Sequence, residues 1–210
     1  NNPTGILTDR EFLFRLLRVC REMGIFLVVD ECFQDFIREP GQYSLKAQLP
    51  RYHNLFLLKA FTKRYAMAGV RLGYGITENE ELLEKMTQAT QPWNISIPAQ
   101  AAGIAALGEV EYVERARKLI FAESEYLSEE LYKLGMTVFP SQANYLFFKG
   151  PEDLEEQNVL IRDCSNYPGL SKGFYRVAVR THEENERLIQ AIHDGLMEAR
   201  KKTQEEEGEE

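Results

Sequence analysis

The sequence predicts an α/β fold with a mostly parallel sheet in its first half and a smaller α+β domain after it. Helical and strand patterns alternate in the first half, as they do where helices connect parallel strands. The apolar run Ile25–Val29 is short, continuous and rich in β-branched and aromatic residues, which is typical of a parallel strand buried on both faces. A long helical pattern precedes the later strand patterns, which indicates a separate α+β unit.

Turn and capping signals mark the first elements. Asn2-Pro3-Thr4-Gly5 reads as a turn, because Pro fixes φ and Gly takes the strained position. The capping-box pattern from Thr8 to Glu11 starts a helix that Gly24 is placed to end. The other elements predicted in this half are a strand over Asn54–Phe61, a short strand over Leu72–Thr77, a helix from a second capping box at Thr77–Glu80 to about Ala89, and a small-residue helix over Ala99–Leu107.

The second half begins with a long amphipathic helix over Glu109–Leu134, which Gly135 ends. The further predicted elements are strands over Thr137–Pro140, Tyr145–Lys149, Val159–Arg162 and Phe174–Arg180, a short helix from Pro151, and a last helix over Glu183–Arg200. The charged segment 201–210 is predicted to be a disordered acidic tail. We therefore place domains at 1–110 and 111–200, with the tail after them.

Composition excludes several classes of protein. A net charge of −8 and a pI near 5.1 argue against nucleic-acid binding, which needs clustered Lys and Arg. The three cysteines have neither metal-ligand nor disulfide spacing, so we expect no metal site and a cytoplasmic location. The sequence has no apolar run of membrane-spanning length and no signal peptide. We therefore expect no membrane association.

Two charged residues follow consecutive predicted strands, and they suggest a cofactor site. Asp30 and Lys63 both fall at carboxyl ends of strands, where open α/β sheets bind ligands. Arg71 follows Lys63 by eight residues. Pyridoxal phosphate (PLP) needs a lysine for its Schiff base, an acid opposite its pyridine nitrogen and cations for its phosphate. The alternative is that these charges only mark where the chain reaches the surface.

Four segments resemble, in order and spacing, the signature blocks of aspartate-aminotransferase-like (fold type I) PLP enzymes. They are Asn2-Pro3-Thr4-Gly5, Asp30-Glu31, Thr62-Lys63 and Ala68–Tyr74. The resemblance runs from Asn1 to about Arg200. It implies that residues 1–110 are the C-terminal part of the large PLP-binding domain and that 111–200 form the interdomain helix and the small domain. It also implies a homodimer.

The resemblance assigns roles to individual positions. Lys63 is implied as the Schiff-base lysine and proton carrier, and Asp30 as the partner of the pyridinium nitrogen. Asn2 is implied as the donor to the ring 3-hydroxyl, and Thr62 and Arg71 as part of the phosphate cup. For Thr62 an equal alternative is a hydroxyl bonded to local backbone.

Two positions depart from the family pattern. Many relatives have Tyr where this chain has Phe33, so the bond from that hydroxyl to the cofactor ring is lost. Many also have a hydroxyl residue where this chain has Ala60. The remaining anchors are ionic, so cofactor binding is still expected.

The C-terminal blocks Val159–Leu170 and Phe174–Arg180 resemble threonine-phosphate decarboxylases of the cobalamin pathway, with histidinol-phosphate aminotransferases as near cousins. The expected substrate is a small phosphorylated amino acid or amine, whose two anions suit two forked guanidinium groups. Arg162 and Arg176 are the candidates, and which anion each binds stays open. For Arg180 the structural reading is preferred, and Tyr167 is read as packing more than as pocket lining.

The sequence begins without Met and inside a loop motif, so we expect the C-terminal part of a longer polypeptide. The upstream glycine-rich phosphate turn of the family is not in this chain. A non-catalytic fragment or a binding module with residual cofactor affinity is therefore the alternative from a different class.

Overall fold

The computed structural model describes residues 1–152, 154 and 161–208. The chain forms two compact units. The N-terminal unit is Thr8–Arg117, and the C-terminal unit combines Asn1–Leu7 with Lys118–Glu210. The predicted division near residue 110 did not foresee that residues 1–7 group with the C-terminal unit. The reason is a long-range contact, in which the Gln142 amide donates to the carbonyl of Gly5 at 2.9 Å.

The N-terminal unit carries a three-stranded sheet. Its elements are α1 (Arg10–Glu22), β1 (Leu27–Asp30), α2 (Pro40–Tyr43), β2 (Leu55–Ala60), α3 (Phe61–Arg64), β3 (Gly73–Ile76), α4 (Glu80–Ala89), α5 (Ile97–Leu107) and the start of α6 (Val110–Lys133). The strands lie in the order β1-β2-β3. β1 and β2 are parallel, as predicted, whereas β3 runs antiparallel to β2.

Strand β1 is buried on one face only, which corrects the prediction of burial on both. Leu27 and Val29 pack on the core of this unit, but Val28 is 56% exposed. The described residues pack against a single face of β1, so the side chains alternate between core and surface. The core itself is built by α1, β2 and the segment before β2, through Leu17, Leu45, Leu49, Leu55 and Leu57.

The two helix caps differ from the predicted capping boxes. Asp9 caps α1, because its Oδ1 accepts from the Phe12 amide at 2.8 Å. Asn79 caps α4, because its Oδ1 accepts from the Leu82 amide at 2.7 Å. Asp and Asn are preferred N-cap residues, and here each stands closer to its helix than the threonine of the predicted box.

The C-terminal unit carries a four-stranded antiparallel sheet with the order β4-β5-β7-β6. Its elements are the rest of α6, then β4 (Thr137–Phe139), β5 (Tyr145–Lys149), β6 (Arg162–Asp163), β7 (Phe174–Ala178) and α7 (His182–Gly208). The core packs α6 and α7 against β5 and β7, through Leu127, Leu131, Phe148, Tyr175 and Ile192 among others. Most of the short helix predicted from Pro151, and half of the strand predicted over Val159–Arg162, falls on 153 and 155–160, which lie outside the described residues.

Helix α7 continues to Gly208, which differs from the disorder predicted for 201–210. The reason lies in residue type, because Lys, Gln and Glu, which fill most of 201–207, have good helix propensity. Residues 209–210 lie outside the described part. Over the described chain, no helix is both long and apolar enough to cross a bilayer.

Candidate functional site

Asp30 and Lys63 lie close together at one edge of the N-terminal sheet. Asp30 ends β1 and pairs with Leu58 of β2. Lys63 follows Leu58 by five residues. Both charges act on the thiol of Cys32. The Lys63 ammonium also lies 5.2 Å from the ring centroid of Phe33. The predicted acid and amine therefore lie at the same edge of the sheet. The lysine contacts the ring face of Phe33, which carries no hydroxyl.

The pKa of the Cys32 thiol depends on the nearby Asp30 at this edge. Burial, and after it the hydrogen bond and negative charge of Asp30, raise the pKa of the Cys32 thiol to about 12, while the charges of Lys59 and Lys63 oppose the rise. The Cys32 backbone amide also donates to Asp30 Oδ1 at 2.9 Å. A neutral thiol beside a carboxylate is not a nucleophile, because the thiolate is the reactive form.

A buried ion pair next to Asp30 was missed by sequence reasoning. Glu31 is 4% exposed, and its Oε2 lies 2.9 Å from the Lys59 ammonium. The Ser44 hydroxyl donates to both Glu31 oxygens, and the Leu45 amide donates to Oε1 at 3.0 Å. Glu31 thus ties the end of β1 to β2 and to the segment before β2. The only sequence signal was an acid after β1 facing a lysine on the neighbouring strand.

Thr62 and Arg71 differ in how the chain holds them. Within the described residues, the Thr62 hydroxyl makes no hydrogen bond, so the alternative of a bond to local backbone is not what the structure shows. Arg71 has φ +57, a left-handed conformation that is strained for a residue with a side chain. Its guanidinium donates to the carbonyl of Ala68 at 3.0 Å, and the side chain is otherwise exposed. Strain of this kind clusters at functional sites.

The C-terminal unit brings Asn2 and Arg176 together and places Arg162 beside them. Arg176 donates to Asn2 Oδ1 at 2.5 Å. Arg162 and Arg176 are directly opposite each other on β6 and β7. Among the residues that the structure describes, neither guanidinium forms an ion pair, although Arg162 donates to Asn166 Oδ1 at 3.1 Å. Two like charges are therefore cross-strand neighbours with no ion pair in the described part of the chain, although Arg162 is near enough to Asp163 to help lower the pKa of that carboxyl.

The remaining candidates have structural roles. Arg180 pairs with Glu184 at 2.8 Å, as the structural reading predicted. The cap of α5 is Ser96, whose hydroxyl accepts from the Ala99 amide at 3.3 Å. Tyr167 does more than pack, because its hydroxyl donates to Asn2 Oδ1 at 3.4 Å.

The chemistry of the candidate residues fits PLP. Asp30, Thr62, Lys63 and Arg71 belong to the N-terminal unit, and Asn2, Arg162 and Arg176 belong to the C-terminal unit. The pyridine nitrogen of PLP requires an acid, its aldehyde requires an amine, and its phosphate requires donors such as a hydroxyl and an arginine. Among the described residues the hydroxyl of Thr62 has no partner, and Arg71 has a strained backbone. No group of three potential metal ligands occurs in the described part of the chain.

Comparisons with known proteins agree with this chemistry. The threonine-phosphate decarboxylase of Salmonella typhimurium is 34% identical over 204 residues, covering 93% of this chain and 56% of that protein. A histidinol-phosphate aminotransferase of Desulfitobacterium hafniense is 38% identical over 206 residues, covering 93% of this chain and 54% of that protein. The structure of the histidinol-phosphate aminotransferase from Clostridium acetobutylicum matches with a TM-score of 0.85 and 32% identity, covering 91% of this chain and 60% of that one.

The chain spans about half the length of the curated relatives it matches. A structure of L-threonine-O-3-phosphate decarboxylase from Porphyromonas gingivalis, at 24% identity and a TM-score of 0.80, shares the fold. The family model for aminotransferase class I and II matches residues 1–192. The signature blocks, the geometry around Asp30 and Lys63, and these matches lead to one conclusion: the chain belongs to the aminotransferase class I and II family.

Proposed function

We propose that this chain is part of a PLP-dependent lyase that decarboxylates O-phospho-L-threonine to aminopropanol phosphate, a step of cobalamin biosynthesis. The observation that carries the proposal is the pair Arg162 and Arg176, which are cross-strand neighbours without an ion pair among the described residues. Like charges directly opposite on a sheet are unfavourable unless an anion joins them. A substrate with both a carboxylate and a phosphate supplies two such anions.

The cofactor would be held by the residues that the sequence singled out. Asp30 would face the pyridine nitrogen and keep it protonated, and Lys63 would form the covalent attachment. Asn2 would donate to the ring 3-oxygen, and Thr62 and Arg71 would contact the phosphate. When bound, PLP supplies an electron sink for the electrons left at the substrate carbon.

The chain's own residues would decide which bond breaks. Arg162 and Arg176 would bind the substrate anions and orient the carboxylate, because orientation is what selects the reacting bond. Lys63 Nζ, once released from the cofactor, would carry the proton to the substrate carbon that the carboxylate leaves.

Histidinol-phosphate aminotransferase activity is the second candidate, and the Desulfitobacterium hafniense relative at 38% identity favours it. Its substrate is a phosphorylated amine, which the same arginines suit. A non-catalytic fragment or a binding module with residual cofactor affinity is the third candidate.

A homodimer fits the exposed apolar surface along α5 and the turn before it. Trp93 is 96% exposed, Ile97 81% and Ile104 75%. Exposed apolar patches of this kind mark association surfaces. The free cysteines Cys20, Cys32 and Cys164 support a reducing, cytoplasmic location.

The test uses the complete encoded protein with PLP and O-phospho-L-threonine. Carbon dioxide release without a keto-acid acceptor supports the decarboxylase. Arg176→Lys should lower kcat/KM roughly 10- to 100-fold, because a lysine cannot reproduce the forked hydrogen bonds to a charged group. Arg180→Lys is the matched control and should stay within about twofold, since its partner is Glu184.

Three other outcomes would reject the proposal. Amino transfer from histidinol phosphate to 2-oxoglutarate, without carbon dioxide release from phosphothreonine, would establish the aminotransferase. Neither activity, with Lys63 still attached to the cofactor, would mean a different substrate. No cofactor attachment to Lys63 would support the binding module.

A further inference from the structure

Each of the two arginines lies on the ring of a tyrosine. The Arg176 guanidinium carbon is 4.9 Å from the ring centroid of Tyr145, and that of Arg162 is 5.9 Å from the ring centroid of Tyr167. The hydroxyls of both tyrosines reach the N-terminal turn. Tyr145 donates to the carbonyl of Asn1 at 2.8 Å, and Tyr167 donates to Asn2 Oδ1 at 3.4 Å. The arrangement therefore repeats, with one arginine, one ring and one hydroxyl bond each time.

Ring support leaves the positive charges available. A carboxylate partner would hold an arginine in place but would also neutralise it, as Glu184 does for Arg180. An aromatic face attracts a guanidinium through its quadrupole and adds no negative charge. Arg162 and Arg176 are thus positioned while they keep the charge that an anion needs.

The hydroxyl bonds fix the orientation of the Asn2 amide. Arginine has donors and no acceptor, so the atom of Asn2 that faces Arg176 must be the oxygen. The Tyr167 hydroxyl donates to the same oxygen. With both donors on Oδ1, the Nδ2 group is the end that stays available as a donor. That is the orientation required for a bond to the cofactor's ring oxygen.

Tyr167 is held by two consecutive turns. Its amide donates to the carbonyl of Cys164 at 3.1 Å, and its carbonyl accepts from the Leu170 amide at 3.0 Å. Pro168 and Gly169, with φ +86 at Gly169, give the second turn the residues of type II. A side chain anchored on both sides in this way can impose a position on its neighbours.

Tyr145 is held by a strand in place of turns. It begins β5, pairs with Ala178 of β7 and is 5% exposed. Burial raises the pKa of Tyr145, while the charge of Arg176 opposes the rise. Its hydroxyl therefore keeps its proton at neutral pH and acts as the donor to Asn1.

We propose that Tyr145 and Tyr167 are positioning residues, whose rings place the two arginines for an anion and whose hydroxyls fix the Asn1–Asn2 turn toward the cofactor. The inference rests on the proposed function and extends it, since neither tyrosine touches a reacting atom. Two substitutions separate the two roles. Phenylalanine keeps the ring and removes the hydroxyl, whereas leucine removes both.

The experiment uses the complete encoded protein loaded with PLP and two readouts that need no turnover. Calorimetric titration with inorganic phosphate measures the arginine pair. Tyr145→Phe and Tyr167→Phe should stay within about twofold of the parent, whereas Tyr145→Leu and Tyr167→Leu should weaken binding roughly fivefold, the value of one exposed cation–π contact. The second readout is the pH midpoint of the cofactor's visible absorption, which Tyr167→Phe should raise by about half a unit by loosening a donor to the ring oxygen.

Tyr132→Phe and Tyr132→Leu are the controls, because Tyr132 is 75% exposed on α6 in the same unit. Equal phosphate binding in the phenylalanine and leucine variants would overturn the role of the rings. An unmoved absorption midpoint in Tyr167→Phe would overturn the role of its hydroxyl, and this variant needs no repacking if the leucine variants fail to fold. Because neither readout uses phosphothreonine, failure of this inference can be told apart from failure of the decarboxylase assay.

Discussion

Removal of the Lys59 side-chain charge should destabilise the N-terminal unit strongly. Lys59 is 15% exposed and Glu31 4%, so Lys59→Met leaves a buried carboxylate without its counter-charge. Breaking a buried pair from one side costs about 3–5 kcal/mol. Glu31 would keep the donors of Ser44 and Leu45, so we expect the low end, about 3 kcal/mol, or roughly a 100-fold change in the unfolding equilibrium.

Urea unfolding of the complete encoded protein, followed by circular dichroism, measures the loss. The matched control is Lys85→Met, which breaks the Lys85–Glu81 pair on α4. Both partners of that pair are at least 70% exposed, so its loss should leave the urea midpoint nearly unchanged.

A double variant tests the cause of the loss. Glu31→Gln in the Lys59→Met background removes the buried charge but keeps acceptors for Ser44 and Leu45. It should recover about 2 kcal/mol of the single variant's loss, because the penalty comes from the uncompensated charge. A cost of Lys59→Met below about 1 kcal/mol, or a double variant that is less stable than the single one, would refute the reasoning.

Other predictions follow from buried polar groups. The pKa of the Cys32 thiol is raised from its ordinary 9.0 to about 12, so iodoacetamide should alkylate this thiol roughly a thousandfold more slowly at pH 8 than in the unfolded chain. Asp30→Asn should speed the alkylation. Peptide mapping by mass spectrometry measures both rates. Between pH 9 and pH 12 the unfolded thiol loses its proton and the folded one keeps it, so the free energy of unfolding should fall with rising pH in this window. Cys32→Ser should make that slope shallower, and part of it should remain because burial also raises the pKa of Tyr145 and of Cys164. Asn185 is 1% exposed and bonds both the amide and the carbonyl of Arg180. Asn185→Ala should therefore lower the free energy of unfolding in urea by about 2–3 kcal/mol, and an unchanged midpoint would contradict this. The control is Gln190→Ala at an exposed position, which should stay within about 0.5 kcal/mol.

The sequence was sufficient to predict the location of site residues that directly follow a strand. Asp30 and Lys63 were predicted at one sheet edge because both follow strands, and the structure places both beside Cys32. The family resemblance is confirmed by the match over residues 1–192. The roles of these residues toward a cofactor stay predictions.

What could not be predicted depends on partners distant in the chain. Glu31 looked like part of a motif with Asp30, and only the fold shows that it faces Lys59 and the 44–45 segment. Burial of β1 was overestimated, because an apolar run does not say whether one face or two will be covered. The bonds from Tyr145 and Tyr167 to Asn1 and Asn2 join residues more than 140 positions apart, which no local pattern encodes.

Arginines in this chain are distinguished by what holds them. Arg64 pairs with Asp35 at 2.7 Å and Arg180 with Glu184, so each charge is compensated within its own unit. Arg162 and Arg176 rest on tyrosine rings and face each other across two strands. Ring contact alone would not mark an anion site, because stacked arginines also occur on exposed helices. Ring contact together with an adjacent like charge does, since the pair gains stability when an anion binds between the two guanidinium groups.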